Sequence, residues 1–96
     1  MTSLTVTPLA EADIEAIWDF SAKQWGIDQA DSYVAAIRAL ISRIVENPLQ
    51  GRRSDELLLG SRRISSGSHV IFYETSVENV EVVRILHVTM DYARHL

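Results

Sequence analysis

The sequence contains no cysteine, so disulfide bonds, thiolate catalysis and thiolate metal sites are all excluded. It also lacks an apolar run long enough to cross a membrane, and it does not begin with the basic and apolar segments of a secretory signal. Its 96 residues suffice for one hydrophobic core. We therefore expect a single domain over residues 1–96, located in the cytoplasm, with no cofactor and no membrane partner.

An excess of positive charge is also missing. Nine Lys and Arg side chains stand against thirteen Asp and Glu, which argues against direct DNA binding by the whole surface. The charge is nevertheless uneven along the chain, because residues 9–34 are acidic whereas residues 52–63 carry four arginines. Arg62, Arg63 and Arg84 could contact RNA phosphates, form salt bridges within the chain, or bind an acidic partner.

The hydrophobic pattern predicts an α+β fold with the element order βααβββ. Thr7-Pro8 and Gly26 punctuate a first helix, and a second helix runs from Asp28 to Asn47-Pro48. Both have an apolar stripe at helical spacing, and the short link between them favours an antiparallel hairpin. In the first stripe, Trp18 and Trp25 are interpreted as core anchors. The predicted strands are Ser3–Val6, Arg62–Ser65, His69–Thr75 and Val80–Val88, and the chain ends in a short arm or helix.

The last two strands are apolar on both sides, although a helical hairpin can cover only one face of a small, mostly antiparallel sheet. Simple alternation places Val82, Arg84 and Leu86 together on the uncovered face. We expect that face to be open and to bind a partner with apolar and acidic side chains, because a lone buried arginine would be costly. The alternative is that the C-terminal residues fold back and complete the core.

Histidine chemistry is the other possibility. His69 begins one predicted strand and His87 lies near the end of its neighbour, so the two imidazoles could be close. We favour two half-exposed side chains over an acid–base pair. Asp91 and His95 have helical spacing but supply too few ligands for a metal site.

Nearly the whole chain resembles the ParE toxins of the RelE/ParE superfamily. The resemblance is carried, after TPLAEADI, by four blocks in register: WGIDQADSY, NPLQGRRSDEL, GSRRISSGSHVIFYE and VRILHVTMDYARHL. It departs from the family at Leu59, where a proline is expected before Gly60.

This resemblance implies the toxin of a type II toxin–antitoxin system, which inhibits DNA gyrase by binding and is not an enzyme. It also implies a ParD-like ribbon-helix-helix antitoxin whose tail folds onto the toxin, so that operator DNA is contacted only indirectly. The residues expected to contact partners are Arg62, Arg63, Val82, Arg84, Leu86, His87, Tyr92, Arg94 and His95.

A second activity in the superfamily keeps an alternative open. RelE-like and YoeB-like toxins cut mRNA on the ribosome, and the arginine in their penultimate strand corresponds to His69. Their lysines in the segment that matches residues 47–61 have no counterpart here. In this alternative His69, Arg84 and His87 would be catalytic.

Overall fold

The computed structural model describes residues 2–96. Its first two helices, α1 (Pro8–Trp25) and α2 (Ile27–Glu46), form the predicted hairpin. Thr7 begins α1, because its side chain accepts a hydrogen bond from the Ala10 amide while its hydroxyl donates to the Val83 carbonyl at 2.7 Å. Gly26 joins the helices with φ of 92°, a conformation that favours glycine. Gly26 also occupies the N-cap position of α2, so this helix begins at Ile27, one residue before the predicted start at Asp28.

The sheet consists of five strands: β1 (Ser3–Val6), β2 (Arg52–Arg53), β3 (Ser61–Ser66), β4 (His69–Thr75) and β5 (Asn79–His87). Their order in the sheet is β1-β5-β4-β3-β2. Strand β1 is parallel to β5, and the other neighbours are antiparallel. The fold is α+β, as predicted, and the short C-terminal element is a helix, α3 (Tyr92–His95), which was one of the two expected alternatives. Strand β2 is the one described strand that the sequence pattern did not reveal.

The main core lies between the helical hairpin and one face of the sheet. Val82 belongs to this core and is fully buried, so its predicted place beside Arg84 and Leu86 is wrong. The reason is a β-bulge: Phe72 pairs with Arg84 and Tyr73 with Val82, which leaves Val83 as an extra residue in β5. The side chains in this core include Ile14, Ile17, Ile37, Ile41, Ile44, Ile71, Tyr73, Val80, Val82 and Ile85.

The opposite side of the sheet, hereafter the second face, has an apolar cluster of its own. Val70, Phe72 and Leu86 are buried there, and Leu57, Tyr92 and Leu96 pack against them. The expected open face is therefore wrong for these three side chains: the segment before β3 and the C-terminal residues cover them. The sequence interpretation judged the tail too short and too polar to cover this face. The cluster is small, however, so Tyr92 and Leu96 of the tail suffice to cover it together with Leu57.

The two tryptophans also differ from expectation. Trp25 is 64% exposed and meets only the edge of the Phe20 ring, so it is not a core anchor. Trp18 is partly buried, and its indole N–H donates to Asp31 at 2.8 Å, which ties α1 to α2. Within residues 2–96, no helix is both long enough and apolar enough to span a membrane.

Candidate partner-binding face and imidazole cleft

Three arginines lie in one cross-strand row on the second face. The strand register runs from Arg52 to Arg63, then to Phe72, and then to Arg84. Because directly paired residues point to the same side of a sheet, these side chains share the second face with Phe72. Sequence reasoning missed Arg52, since the two-residue strand that aligns it with Arg63 gives no periodic signal.

Arg84 has an acidic partner within its own chain. Its Nε and Nη2 atoms donate to the two carboxylate oxygens of Asp13 at 2.8 and 2.9 Å, a bidentate pair. The same carboxylate accepts a hydrogen bond from the Ile85 amide at 2.9 Å. Ile85 lies in the part of β5 that extends past β1, so Asp13 satisfies a backbone N–H at the edge of the sheet. The hydrogen bonds that Arg84 donates to Asp13 raise the pKa of Arg84. The prediction that Arg84 awaits the carboxylate of a partner is therefore corrected, and Asp13 is a second residue that sequence reasoning missed.

The other two arginines of the row are less constrained. Arg63 lies 3.6 Å from the exposed carboxylate of Glu56, and Arg52 is exposed with no salt bridge among residues 2–96. Both border a cleft of about 520 Å³ beside Tyr92, which we call the arginine cleft. The arginine cleft thus combines cationic and apolar side chains on the second face. The cleft is lined by Gln50, Arg52, Arg63, Ile64, Ser65, Val70, Val88 and Tyr92.

The C-terminal residues reach the second face through a few contacts. The Tyr92 ring meets the edge of Phe72 with centroids 5.0 Å apart, and Arg84 Nη1 donates to the His95 carbonyl at 3.0 Å. The side chains of Arg94 and His95 are exposed, and Arg94 Nε is 3.9 Å from Asp91. Both side chains are therefore available to a partner, whereas Leu86 lies beneath the tail and is 1% exposed.

Arg62 lies on the other side of the sheet from Arg63. It pairs with Tyr73, and its Nη1 donates to the Gly51 carbonyl at 2.9 Å and to the Leu49 carbonyl at 3.3 Å. These bonds hold the connection between α2 and β2, and they separate Arg62 from the row formed by Arg52, Arg63 and Arg84.

His69 and His87 come together where β4 begins and β5 ends. They are paired across β4 and β5, and their ring centroids are 5.1 Å apart with the planes nearly perpendicular. Burial, followed by the charge of His87, lowers the pKa of His69, while the charge of Asp13 opposes this shift. The two rings line a cleft of about 410 Å³ that we call the imidazole cleft. Its walls also contain Ala16, Ile17, Phe20, Ser21, Trp25, Tyr33, Ser68, Thr89 and Met90.

The catalytic set of the RNase alternative is only partly assembled. The two histidines are adjacent, but Arg84 pairs across from Phe72 and binds Asp13, so it contributes no charge to the cleft. The imidazole cleft contains no lysine or arginine among its lining residues, and a phosphodiester would therefore lack a cationic clamp there. Within residues 2–96, no group of three metal-ligating side chains is clustered.

The chain is similar to known proteins over most of its length. The family model described as ParE toxin of type II toxin-antitoxin system, parDE, matches residues 4–92. The chain belongs to the ParE toxin family. Toxin ParE1 of Mycobacterium tuberculosis is 42% identical over 92 residues, which cover 95% of this chain and 94% of the relative. Toxin ParE1 of Caulobacter vibrioides is 42% identical over 87 residues, or 91% of this chain and 90% of the relative.

A solved structure shares the ParE fold of this chain. A chain of the chromosomal ParDE TA system from P. aeruginosa superposes with a TM-score of 0.80 at 22% identity, covering 91% of this chain and 96% of the other. At that identity the likeness concerns the fold alone. It matches the helical hairpin and sheet described above.

Proposed function

We propose that this ParE toxin acts by binding: it inhibits DNA gyrase and is neutralised by a ParD-like antitoxin. The family membership of residues 4–92 carries the proposal, and the P. aeruginosa relative is described as part of a ParDE system. In this proposal the toxin acts in the cytoplasm, is not an enzyme, and reaches operator DNA only through the ribbon-helix-helix half of the antitoxin.

The arginine cleft is the surface that suits the antitoxin best. Arg52 and Arg63 offer guanidinium groups beside Val70, Val88 and Tyr92, so an acidic segment with apolar anchors would satisfy both kinds of side chain. Arg94 and His95 extend the basic character along the exposed side of the tail. An arginine beside an aromatic side chain is a frequent combination in binding hot spots.

Cleavage of mRNA is the second candidate function. The observation in its favour is the contact between His69 and His87, because two adjacent imidazoles could act as a general acid and base. The lining of the imidazole cleft contains no lysine or arginine, which weighs against mRNA cleavage. No cationic side chain would stabilise the negative charge that develops on the phosphorane.

The deciding experiment adds purified toxin to DNA gyrase and follows supercoiling of a relaxed plasmid. We expect the toxin to inhibit supercoiling, and the neutralising antitoxin to relieve that inhibition. A parallel reaction contains translating ribosomes and a defined mRNA. Intact gyrase activity together with cut mRNA would overturn the proposal and favour the RNase alternative.

A further inference from the structure

The hydrogen bonds of the imidazole cleft fix which ring nitrogen of His87 carries the proton. The Thr89 amide donates to His87 Nδ1 at 3.1 Å, and the Thr89 hydroxyl lies 2.7 Å from the same atom. An atom that accepts an amide N–H has no proton of its own in the neutral ring. The neutral His87 therefore carries its proton on Nε2.

Tyr33 favours the same tautomer on His69. The Tyr33 hydroxyl oxygen accepts the Ser68 amide at 2.9 Å, which leaves its single proton to donate elsewhere. The two acceptors within reach are His69 Nδ1 at 2.7 Å and the Ser66 carbonyl at 3.3 Å, and the shorter distance favours donation to His69. Gly67 permits this approach, because a Cβ at Gly67 would lie 2.7 Å from the hydroxyl oxygen. When Tyr33 donates to His69, the neutral His69 ring also carries its proton on Nε2.

Both rings line the same cleft, and among residues 2–96 no hydrogen bond involves the Nε2 atom of either ring. A metal ion would need unprotonated Nε2 atoms, but moving the His87 proton to Nδ1 would set it against the Thr89 amide. Two adjacent N–H groups instead match the two oxygens of a carboxylate.

The walls of the imidazole cleft include large apolar side chains that are exposed to solvent. The Phe20, Trp25 and Met90 side chains are 59, 64 and 44% exposed, and the two aromatic rings meet edge to face. Large exposed apolar side chains next to fixed donors are typical of a surface that binds an amphipathic group. The segment from Val88 to Met90 separates this cleft from the arginine cleft, with Val88 lining one and Met90 the other. One extended chain could cross that segment and occupy both.

We propose that the imidazole cleft binds a carboxylate carried on an apolar or aromatic segment of a peptide partner, with the Nε2–H groups of His69 and His87 as donors. This inference rests on the proposed function, because that function supplies a peptide partner whose chain folds onto the toxin. The peptide partner would then have two acidic groups bound to the toxin. One would lie in the arginine cleft near Arg52 and Arg63, and the other in the imidazole cleft on the far side of the Val88–Met90 segment.

The test uses a small carboxylate in place of the partner, so it does not depend on gyrase or antitoxin binding. Hydrocinnamate, a phenyl ring on a short acid, is titrated into the full chain while NMR follows the imidazole nitrogens. We expect shifts at His69 and His87 but not at the exposed His95, with a Kd on the order of 1–10 mM for a fragment of this size. The matched amide, hydrocinnamamide, should bind about tenfold more weakly, because it loses the charge-assisted bonds.

Two variants complete the design. His87→Gln should abolish the shift at His69 and make the affinities for hydrocinnamate and hydrocinnamamide equal. His95→Gln should leave both titrations unchanged. Equal binding of acid and amide to the unaltered chain, or no response at either imidazole, would overturn the inference. The gyrase proposal would survive that result, just as failed gyrase inhibition would leave a positive titration intact.

Discussion

Replacing Asp13 with Ala removes the acceptor of three hydrogen bonds, two from Arg84 and one from the Ile85 amide. A hydrogen bond to a charged group contributes about 1.5–3 kcal/mol, and breaking a fully buried ion pair costs about 3–5 kcal/mol. The Asp13 and Arg84 side chains are 14 and 16% exposed, so solvent screens part of this energy. We therefore expect the free energy of unfolding to fall by about 2–3 kcal/mol.

Asp19→Ala is the matched control. Asp19 lies on the same helix, is exposed, and has no salt bridge among residues 2–96. Both substitutions remove one negative charge, and both gain up to about 0.7 kcal/mol of helix propensity, which cancels in the comparison. Urea unfolding followed by circular dichroism and tryptophan fluorescence gives the two free energies.

A double-mutant cycle with Arg84→Ala isolates the pair. We expect a coupling energy of at least about 1 kcal/mol between Asp13 and Arg84. If Asp13→Ala and Asp19→Ala were equally stable to within about 0.5 kcal/mol, the reasoning would be refuted. Arg84 would then be free in solution, and it would regain the partner-binding role that the sequence suggested.

Three further predictions concern the core, pH and the tail. Tyr73→Phe should cost about 1–3 kcal/mol in urea unfolding, because the buried hydroxyl donates to Pro48 and accepts the Gly51 amide. Burial lowers the pKa of His69, so below about pH 6.5 the unfolded chain binds more protons than the folded chain. The free energy of unfolding should therefore fall as pH drops from 7 to 5. A urea midpoint that depends on pH as strongly in His69→Gln as in the unaltered chain would contradict this. Deleting residues 91–96 should uncover Phe72 and Leu86, lower stability by about 2 kcal/mol and abolish toxicity; a growth assay showing full toxicity would exclude a role for the tail.

The helical hairpin was predictable because its signals are local. Thr7-Pro8, Gly26 and Asn47-Pro48 mark the helix ends through backbone conformation and capping, and the apolar stripes mark the buried faces. The long strands were predictable for the same reason. Strand β2 was not, because two residues have no period of their own and their pairing with β3 is fixed by the chain on either side.

The site was less predictable because its geometry depends on distant residues. One bulged residue, Val83, transfers Val82 to the helix side of the sheet, and alternation alone cannot reveal such an insertion. The carboxylate that pairs with Arg84 comes from α1, 71 positions earlier in the chain. Tyr33, whose hydroxyl contacts His69, lies 36 positions earlier in the chain and gives no local signal of that contact. The contact between His69 and His87 followed from strand register and was anticipated.

The partner-binding role of the second face is tested most directly by measuring how tightly the neutralising antitoxin binds when the charge of the arginine cleft is reversed. Calorimetry compares the unaltered toxin with Arg52→Glu/Arg63→Glu and with a control, Arg38→Glu/Arg43→Glu, which makes the same change in charge on exposed positions of α2. We predict at least a hundredfold loss of affinity, about 2.7 kcal/mol, for the cleft variant and less than tenfold for the control. Equal affinities for the two folded variants would contradict the assignment of the second face as the partner-binding surface.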